Sequence, residues 1–189
     1  MKIKWNGGAL LAPVPPTLIT CGSIEHPNIM TAAWTGILNT KPPKTYVSIR
    51  PERYSHGLIT ESRELVINLS TEALVRATDF CGVRSGKTVD KFAACGLHAE
   101  ESATVSAPSL SESPLSIECR VCEIVPLGSH DMFLCDITAV TVDEKLLTPD
   151  GRLRLDKAGL LAYAHGEYFA LGKKCGSFGY SVRKKKRKK

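Results

Sequence analysis

The pattern of apolar and polar positions along the chain predicts mostly strands. Thr17–Gly22 (TLITCG) is rich in β-branched and small apolar residues and reads as a strand. Residues 29–40 are apolar and small-residue rich, which predicts a second strand that bends into a loop. Lys41-Pro42-Pro43 stops it, because proline cannot donate to a ladder. Residues 45–50 (TYVSIR) and 65–69 (LVINL) predict two more strands, and residues 115–125 and 132–142 predict a long pair. Helices are expected from near Ser55, a good N-cap residue, and over residues 71–80, 90–95 and 156–164. Residues 2–16 read as a lead-in that closes on prolines, and residues 166–179 as a loop. Many strands, few helices and no regular βαβ alternation predict a mainly β fold, a barrel with added helices.

Charge changes this picture only at one end. The formal net charge is +6, but residues 183–189 are all basic. Without them, 18 Lys+Arg stand against 19 Asp+Glu, a body charge near −1. The expected organisation is therefore one domain over residues 1–182 and a basic tail over 183–189. A block of like charges repels itself and is read as a solvated tail. The same block suits counterion release on nucleic acid or anionic lipid. The body carries no basic stripe, which argues against a nucleic-acid-binding domain. At 189 residues the chain can bury a core without disulfides or a structural metal.

The seven cysteines, at 21, 81, 95, 119, 122, 135 and 175, are odd in number and scattered. Residues 1–11 hold no long apolar segment of the signal-peptide kind. No apolar stretch approaches the ~20 residues that span a membrane. A cytoplasmic protein with reduced thiols is expected.

Several motifs reduce to bland readings. Residues 82–88 (GVRSGKT) resemble a phosphate loop, but three residues separate the glycines where four are needed, and a helix rather than a strand precedes them. A flexible basic loop, still able to meet a phosphate, is the expectation. Cys119 and Cys122 form a CxxC, yet residues three apart in a strand face opposite ways. That suits neither a metal grip nor a redox pair, and no metal site is expected. No GxGxxG follows a strand, and no GxSxG is present. His130-Asp131 lies in the loop between the two long strands.

The sharper signal is residues 48–56 (SIRPERYSH). A strand ends in Arg50 and a helix opens a few residues later. A helix N-terminus exposes free N–H groups and the positive end of its dipole. Arg50 adds a guanidinium fork suited to phosphate oxygens. Two readings stand for Arg50: a phosphate ligand, or the partner of a surface carboxylate.

Taken together, residues 27–36 (PNIMTAAWTG), 47–56 (VSIRPERYSH), 80–92 (FCGVRSGKTVDKF), 127–133 (LGSHDMF) and 163–180 (YAHGEYFALGKKCGSFGY) resemble the flavin reductase-like proteins with an FMN-binding split barrel. The resemblance is closest to the flavoredoxin branch. It implies a six-stranded Greek-key split β-barrel, a homodimer, and FMN near the subunit interface. On this resemblance Asn28 to Trp34 border the isoalloxazine ring. Main-chain groups of Met30, Thr31 and Ala32 would meet its polar edge, and Trp34 would give aromatic contact. Ser48, Arg50 and Ser55 would surround the phosphate, and Lys91 would face the phosphate or the pyrimidine edge. His130 would lie beside the flavin or an incoming nicotinamide, and Tyr163 would approach the cofactor from this subunit or its partner.

The implied activity is NAD(P)H-dependent flavin reduction, with hydride passing to flavin N5. The alternative is a flavoredoxin-type electron carrier that keeps its FMN and serves redox protein partners. Gly128-Ser129-His130 stands where two-component monooxygenase reductases tend to carry Gly-Asp-His, which weakens the transfer of NAD(P)H binding to His130.

Overall fold

Thr17–Gly22 forms β1, and five of its six residues are buried. The burial is two-sided. Ile19 and Cys21 face the barrel interior, while Leu18 packs outward against helices. This is why the strand reads as a continuous apolar run rather than an alternating one. The computed structural model describes residues 1–183. Residues 184–189, most of the expected basic tail, lie outside the described residues.

The chain continues through β2 (Pro27–Ala32), β3 (Thr35–Thr40), β4 (Pro43–Ile49), α1 (Tyr54–Ser62) and β5 (Glu64–Leu69). A 3₁₀ turn over Glu72–Leu74 leads into α2 (Val75–Val83), and α3 (Lys91–Cys95) follows. Then come β6 (Ala99–Glu100), β7 (Ser109–Leu110), the long β8 (Leu115–Pro126) and β9 (Asp131–Val142), and a final hairpin of β10 (Leu161–Ala164) and β11 (Glu167–Ala170).

Seven strands make one sheet in the order β2-β1-β5-β8-β9-β4-β3, each antiparallel to its neighbour. The two edge strands, β2 and β3, are consecutive in the chain, with only Ala33 and Trp34 between them. The sheet must therefore curl until its edges meet at that corner. They meet without pairing, so the fold is a mainly β barrel split between β2 and β3. The Ser48 amide donates to the Trp34 carbonyl at 2.8 Å and ties the corner to β4.

The interior is filled by Phe133, Ile19, Ile49, Leu65, Cys119 and Cys135, all essentially inaccessible. Side chains of this class contribute about 1.5–3 kcal/mol each on full burial. An outer layer joins Leu18 and Ile29 to Leu74, Cys81, Phe92 and Leu110, and so fastens α2 and α3 over β1 and β2. α3 is held at both ends. Asp90 accepts from the Ala93 amide at 3.0 Å, and Gly96 closes it at φ 63°.

Four expectations change. Residues 29–40 are two strands, because the chain turns a corner at Ala33-Trp34; this raises the main sheet from six strands to seven. Ser55 does not cap α1: Arg53 holds the N-cap position, and the Ser55 hydroxyl turns inward to Asn28. The helix expected over 156–164 is a 3₁₀ turn (Leu155–Lys157) followed by β10, since Gly159 at φ 64° breaks it. The loop expected over 166–179 contains β11, paired to β10 across His165 (φ 51°) and Gly166 (φ 91°). Two positive-φ residues at the tip are the mark of a tight hairpin turn. The CxxC behaves as its spacing predicts: Cys119 is buried and Cys122 is exposed.

Candidate functional site at the split of the barrel

An edge strand leaves alternate main-chain N–H and C=O groups without a ladder partner. β2 is such a strand, and a cleft of about 370 Å³ opens along it. Met30, Thr31, Ala32, Ala33 and Trp34 form one side of this cleft. Ser48, Ile49, Arg50 and Arg53, from the end of β4 and the turn after it, form the floor. Gly82 and Val83 close it from α2, His130 from the β8–β9 loop, and Tyr163 and Tyr168 from the last hairpin. Gly82 faces Thr31 of β2, where a Cβ would make an ordinary contact at 3.4 Å.

A second cavity of about 390 Å³ shares Met30, Arg50, Arg53 and Val83 with the first, so the two adjoin. Its character is cationic. Arg50, Arg53, Arg84 and Lys91 line it against one carboxylate, Glu52. Tyr54 and Ser55 bring the start of α1 to its wall. Among the described residues no side chain caps that helix and no acidic residue lies in its first turn. The free N–H groups and dipole of the helix start thus add to the four cations.

Each cation is held differently. Arg53 donates from Nη1 to the Gly82 carbonyl at 2.9 Å, which fixes it between the cavities. Arg50 is largely exposed, and its Nη1 lies 3.4 Å from Glu52 Oε1, a loose surface pair. Arg50 thus has the carboxylate neighbour of one sequence reading, and it also lines both cavities. Lys91 is only 4% exposed. Its Nζ donates to the Cys81 carbonyl at 3.2 Å and the Arg84 carbonyl at 3.3 Å. An ammonium has three donors, which leaves one for the cavity. Burial pushes the Lys91 pKa down from its ordinary value; the neighbouring thiols of Cys81 and Cys21 act the other way, and Arg53 adds to the fall. Burial also pushes the Cys81 thiol up to about 12, so that thiol stays neutral beside Lys91 at neutral pH.

Ser55 reaches this cavity from a buried position, where its Oγ accepts from Asn28 Nδ2 at 2.7 Å. Asn28 lies outside both cavities, behind Ser55, and its amide also meets Cys21 Sγ at 3.2 Å. The loop after α2 is pressed onto the same amide: a Cβ at Gly86 would fall 1.9 Å from Asn28 Oδ1.

Around the first cavity, Ser129 Oγ lies 3.0 Å from His130 Nδ1. His56 Nε2 pairs with Asp131 Oδ2 at 2.8 Å and packs edge-on against Phe133, which anchors the base of the His130 loop. The Tyr163 and Tyr168 rings are 5.4 Å apart, and Tyr168 donates to Asp79 Oδ1 at 3.4 Å. Burial, followed by the Asp79 charge, pushes the Tyr168 phenol up to about 12.

The residues singled out from the sequence largely converge. Met30, Thr31, Ala32, Trp34, Ser48, Arg50, His130 and Tyr163 line the first cavity; Ser55 and Lys91 line the second with Met30 and Arg50. Ser48, expected around the phosphate, is on the first cavity only. Arg53, Arg84 and Tyr168 were missed. Arg53 and Arg84 had a signal, each being a second basic residue in a stretch already noted. Tyr168 had none, because only the hairpin brings it to the cleft.

A cleft edged by main-chain groups and adjoining a cationic pocket suits a planar heteroaromatic carrying a phosphate. The comparisons agree with that chemistry. The chain is similar to flavoredoxin of Desulfovibrio vulgaris (Miyazaki F), at 33% identity over 97% of this chain and 100% of that one, with a TM-score of 0.89. An FMN-binding protein from Thermus thermophilus, solved with bound 1-cyclohex-2-enone, is 28% identical over 94% of this chain and 99% of its own, with a TM-score of 0.79. FMN reductase (NADH) RutF of Enterobacter cloacae is 28% identical over 58% of this chain and 65% of its own length. The flavin reductase like domain matches residues 10–172, and the chain belongs to that family.

Proposed function

We propose that this protein binds FMN across the two adjoining cavities and works as a flavin-dependent oxidoreductase reduced by NAD(P)H. The observation that carries the reading is their adjacency: the cleft along an unpaired strand edge shares its wall with a pocket of four cations and a bare helix start. The donor set fits the cofactor. Arg50, Arg53, Arg84, the free N–H of Lys91 and the first turn of α1 would hold the phosphate. The β2 edge from Met30 to Ala32 would meet the polar rim of the ring, and Trp34 and Tyr163 offer aromatic surface. When bound, the isoalloxazine supplies reversible hydride and electron chemistry, and the protein tunes it. Lys91 places a cation by the site, which favours any negative charge that accumulates there. His130 stands at the open side, where a nicotinamide would enter.

A second reading, a carrier that holds FMN and exchanges electrons with redox proteins, is favoured by the similarity to a flavoredoxin over nearly the whole chain. Ser129 beside His130 also departs from the reductase pattern at the nicotinamide position. Both readings include a homodimer.

An anaerobic titration of the purified yellow protein with NADH and NADPH, followed at about 450 nm where oxidised flavins absorb, separates them. Bleaching by either nucleotide is the expected result. A protein that stays yellow with both but bleaches with dithionite is a carrier. A protein that is colourless and takes up no added FMN overturns both readings.

A further inference from the structure

A third cavity, of about 340 Å³, lies beside the first and shares Trp34, Tyr163 and Gly166 with it. Its outer wall is the N-terminal segment, through Ala9, Leu10, Leu11, Ala12 and Val14. That segment is tied in place. Val14 and Tyr163 exchange two main-chain hydrogen bonds, of 2.9 and 2.8 Å, which hold the segment against β10. We propose that this annex is a binding subsite for a planar, uncharged aromatic electron acceptor of the quinone class. The inference rests on the FMN reading for its chemistry, but not for its binding geometry.

Among the described residues no Asp, Glu, Lys or Arg lines the annex, and His165 is the one basic side chain at its wall. The cationic cavity is on the far side of the ring cleft and does not share the annex residues. A dinucleotide phosphate or an organic acid therefore has no counter-charge here, and burying an unpaired anion is costly. Aliphatic side chains on one face and the Trp34 and Tyr163 rings on the other suit a flat apolar ring, since aromatic faces stack with offset or edge contacts. The volume is at the low end of the roughly 300–1,000 Å³ of small-molecule pockets, the scale of a two-ring compound. A quinone held there borders the cleft proposed for the flavin. It would gain two electrons and one proton as a hydride equivalent from the reduced cofactor and a second proton from water, and leave as the hydroquinone.

The probe is 1,4-naphthoquinone, with its sulfonated analogue as the charged counterpart. In a Trp5→Phe background, Trp34 is the remaining indole and reports occupancy by quenching, with or without flavin. Saturable quenching by naphthoquinone and little by the sulfonate is expected. Leu10→Asp, at a half-exposed position, and Ala9→Phe, which fills the space without adding an indole, should each raise the apparent Kd at least tenfold while leaving flavin content unchanged. Stopped-flow reoxidation of dithionite-reduced holoprotein should saturate with naphthoquinone and lose that saturation in both variants. Linear quenching that is equal in wild type and variants would overturn the subsite. Quenching that fades as protein concentration rises would assign the annex to a second copy of the chain, and equally overturn it. A protein that binds no FMN would sink the oxidoreductase reading alone, because the quenching still decides the subsite.

Discussion

Asn28 donates from Nδ2 to Ser55 Oγ at 2.7 Å, joining the edge strand β2 to the first turn of α1. Both residues are buried, and Gly86 packs against the same amide. Three segments that build the cation pocket thus meet on one side chain. Ser55→Ala should cost about 1–3 kcal/mol, the range for a buried donor that loses its partner. Urea unfolding with an unchanged m-value checks it. A midpoint equal to wild type would mean the contact is dispensable.

Gly86→Ala tests the same junction from the loop. Its Cβ would fall 1.9 Å from Asn28 Oδ1 and 3.1 Å from Tyr54 Cδ1, so the loop or the amide must shift. Weaker FMN binding is expected, with a smaller effect on the melting temperature, since the loop lies at the surface of the pocket. FMN affinity equal to wild type would show that the loop does not shape the pocket.

Arg50→Ala should weaken FMN binding by about 1.5–3 kcal/mol, the range for a hydrogen bond to a charged group. Stability should hardly move, because among the described residues the ion pair lost is the exposed one to Glu52. Isothermal titration with FMN and a thermal melt of the apoprotein separate the two effects. A normal dissociation constant would remove Arg50 from the phosphate site.

FMN affinity should depend on alkaline pH through Lys91. Burial lowers its pKa in the free protein. A bound phosphate would favour the ammonium and raise that pKa, so binding takes up a proton. Affinity should therefore fall as pH rises through a window that opens below the ordinary lysine value of about 10.4. The Cys81 thiol, which titrates near 12, stays out of most of that window. Lys91→Gln should bind FMN more weakly at neutral pH and flatten the fall. The sign for folding is opposite: a lysine with a depressed folded pKa costs stability while charged, so the apoprotein should gain stability as pH rises through that pKa.

Glu118 is fully buried and accepts from the Ala103 amide at 2.9 Å, the Thr104 amide at 2.7 Å and the Thr104 hydroxyl at 2.6 Å. Glu118→Leu removes the carboxylate that two amides bond and should cost about 3–6 kcal/mol, at about 1.5–3 for each hydrogen bond to a charged group. Denaturant unfolding measures the loss, and flavin content of the folded fraction should persist, because both cavities lie elsewhere.

By itself the sequence determined the class of fold and the chemistry near Arg50. β-branched runs specify strands wherever they occur, and the Arg50-to-Ser55 stretch joins a cation to a helix start by local rules alone. The long β8–β9 pair and the short helix near residues 90–95 were legible for the same reason. What tertiary structure decided was everything that depends on one segment meeting another. The break at Ala33-Trp34 exists because the curled sheet needs a corner there, and no property of those two residues announces it. Ser55 looked like a cap and became the partner of Asn28, since a buried amide competes for a hydroxyl more strongly than a helix end open to water. The hairpin carrying Tyr163 and Tyr168 read as helix and loop, because its pairing across His165-Gly166 is worth forming only against the cleft and the N-terminal segment. Local propensity chooses an element; long-range burial and hydrogen-bond satisfaction choose its place, and the site here is a product of place.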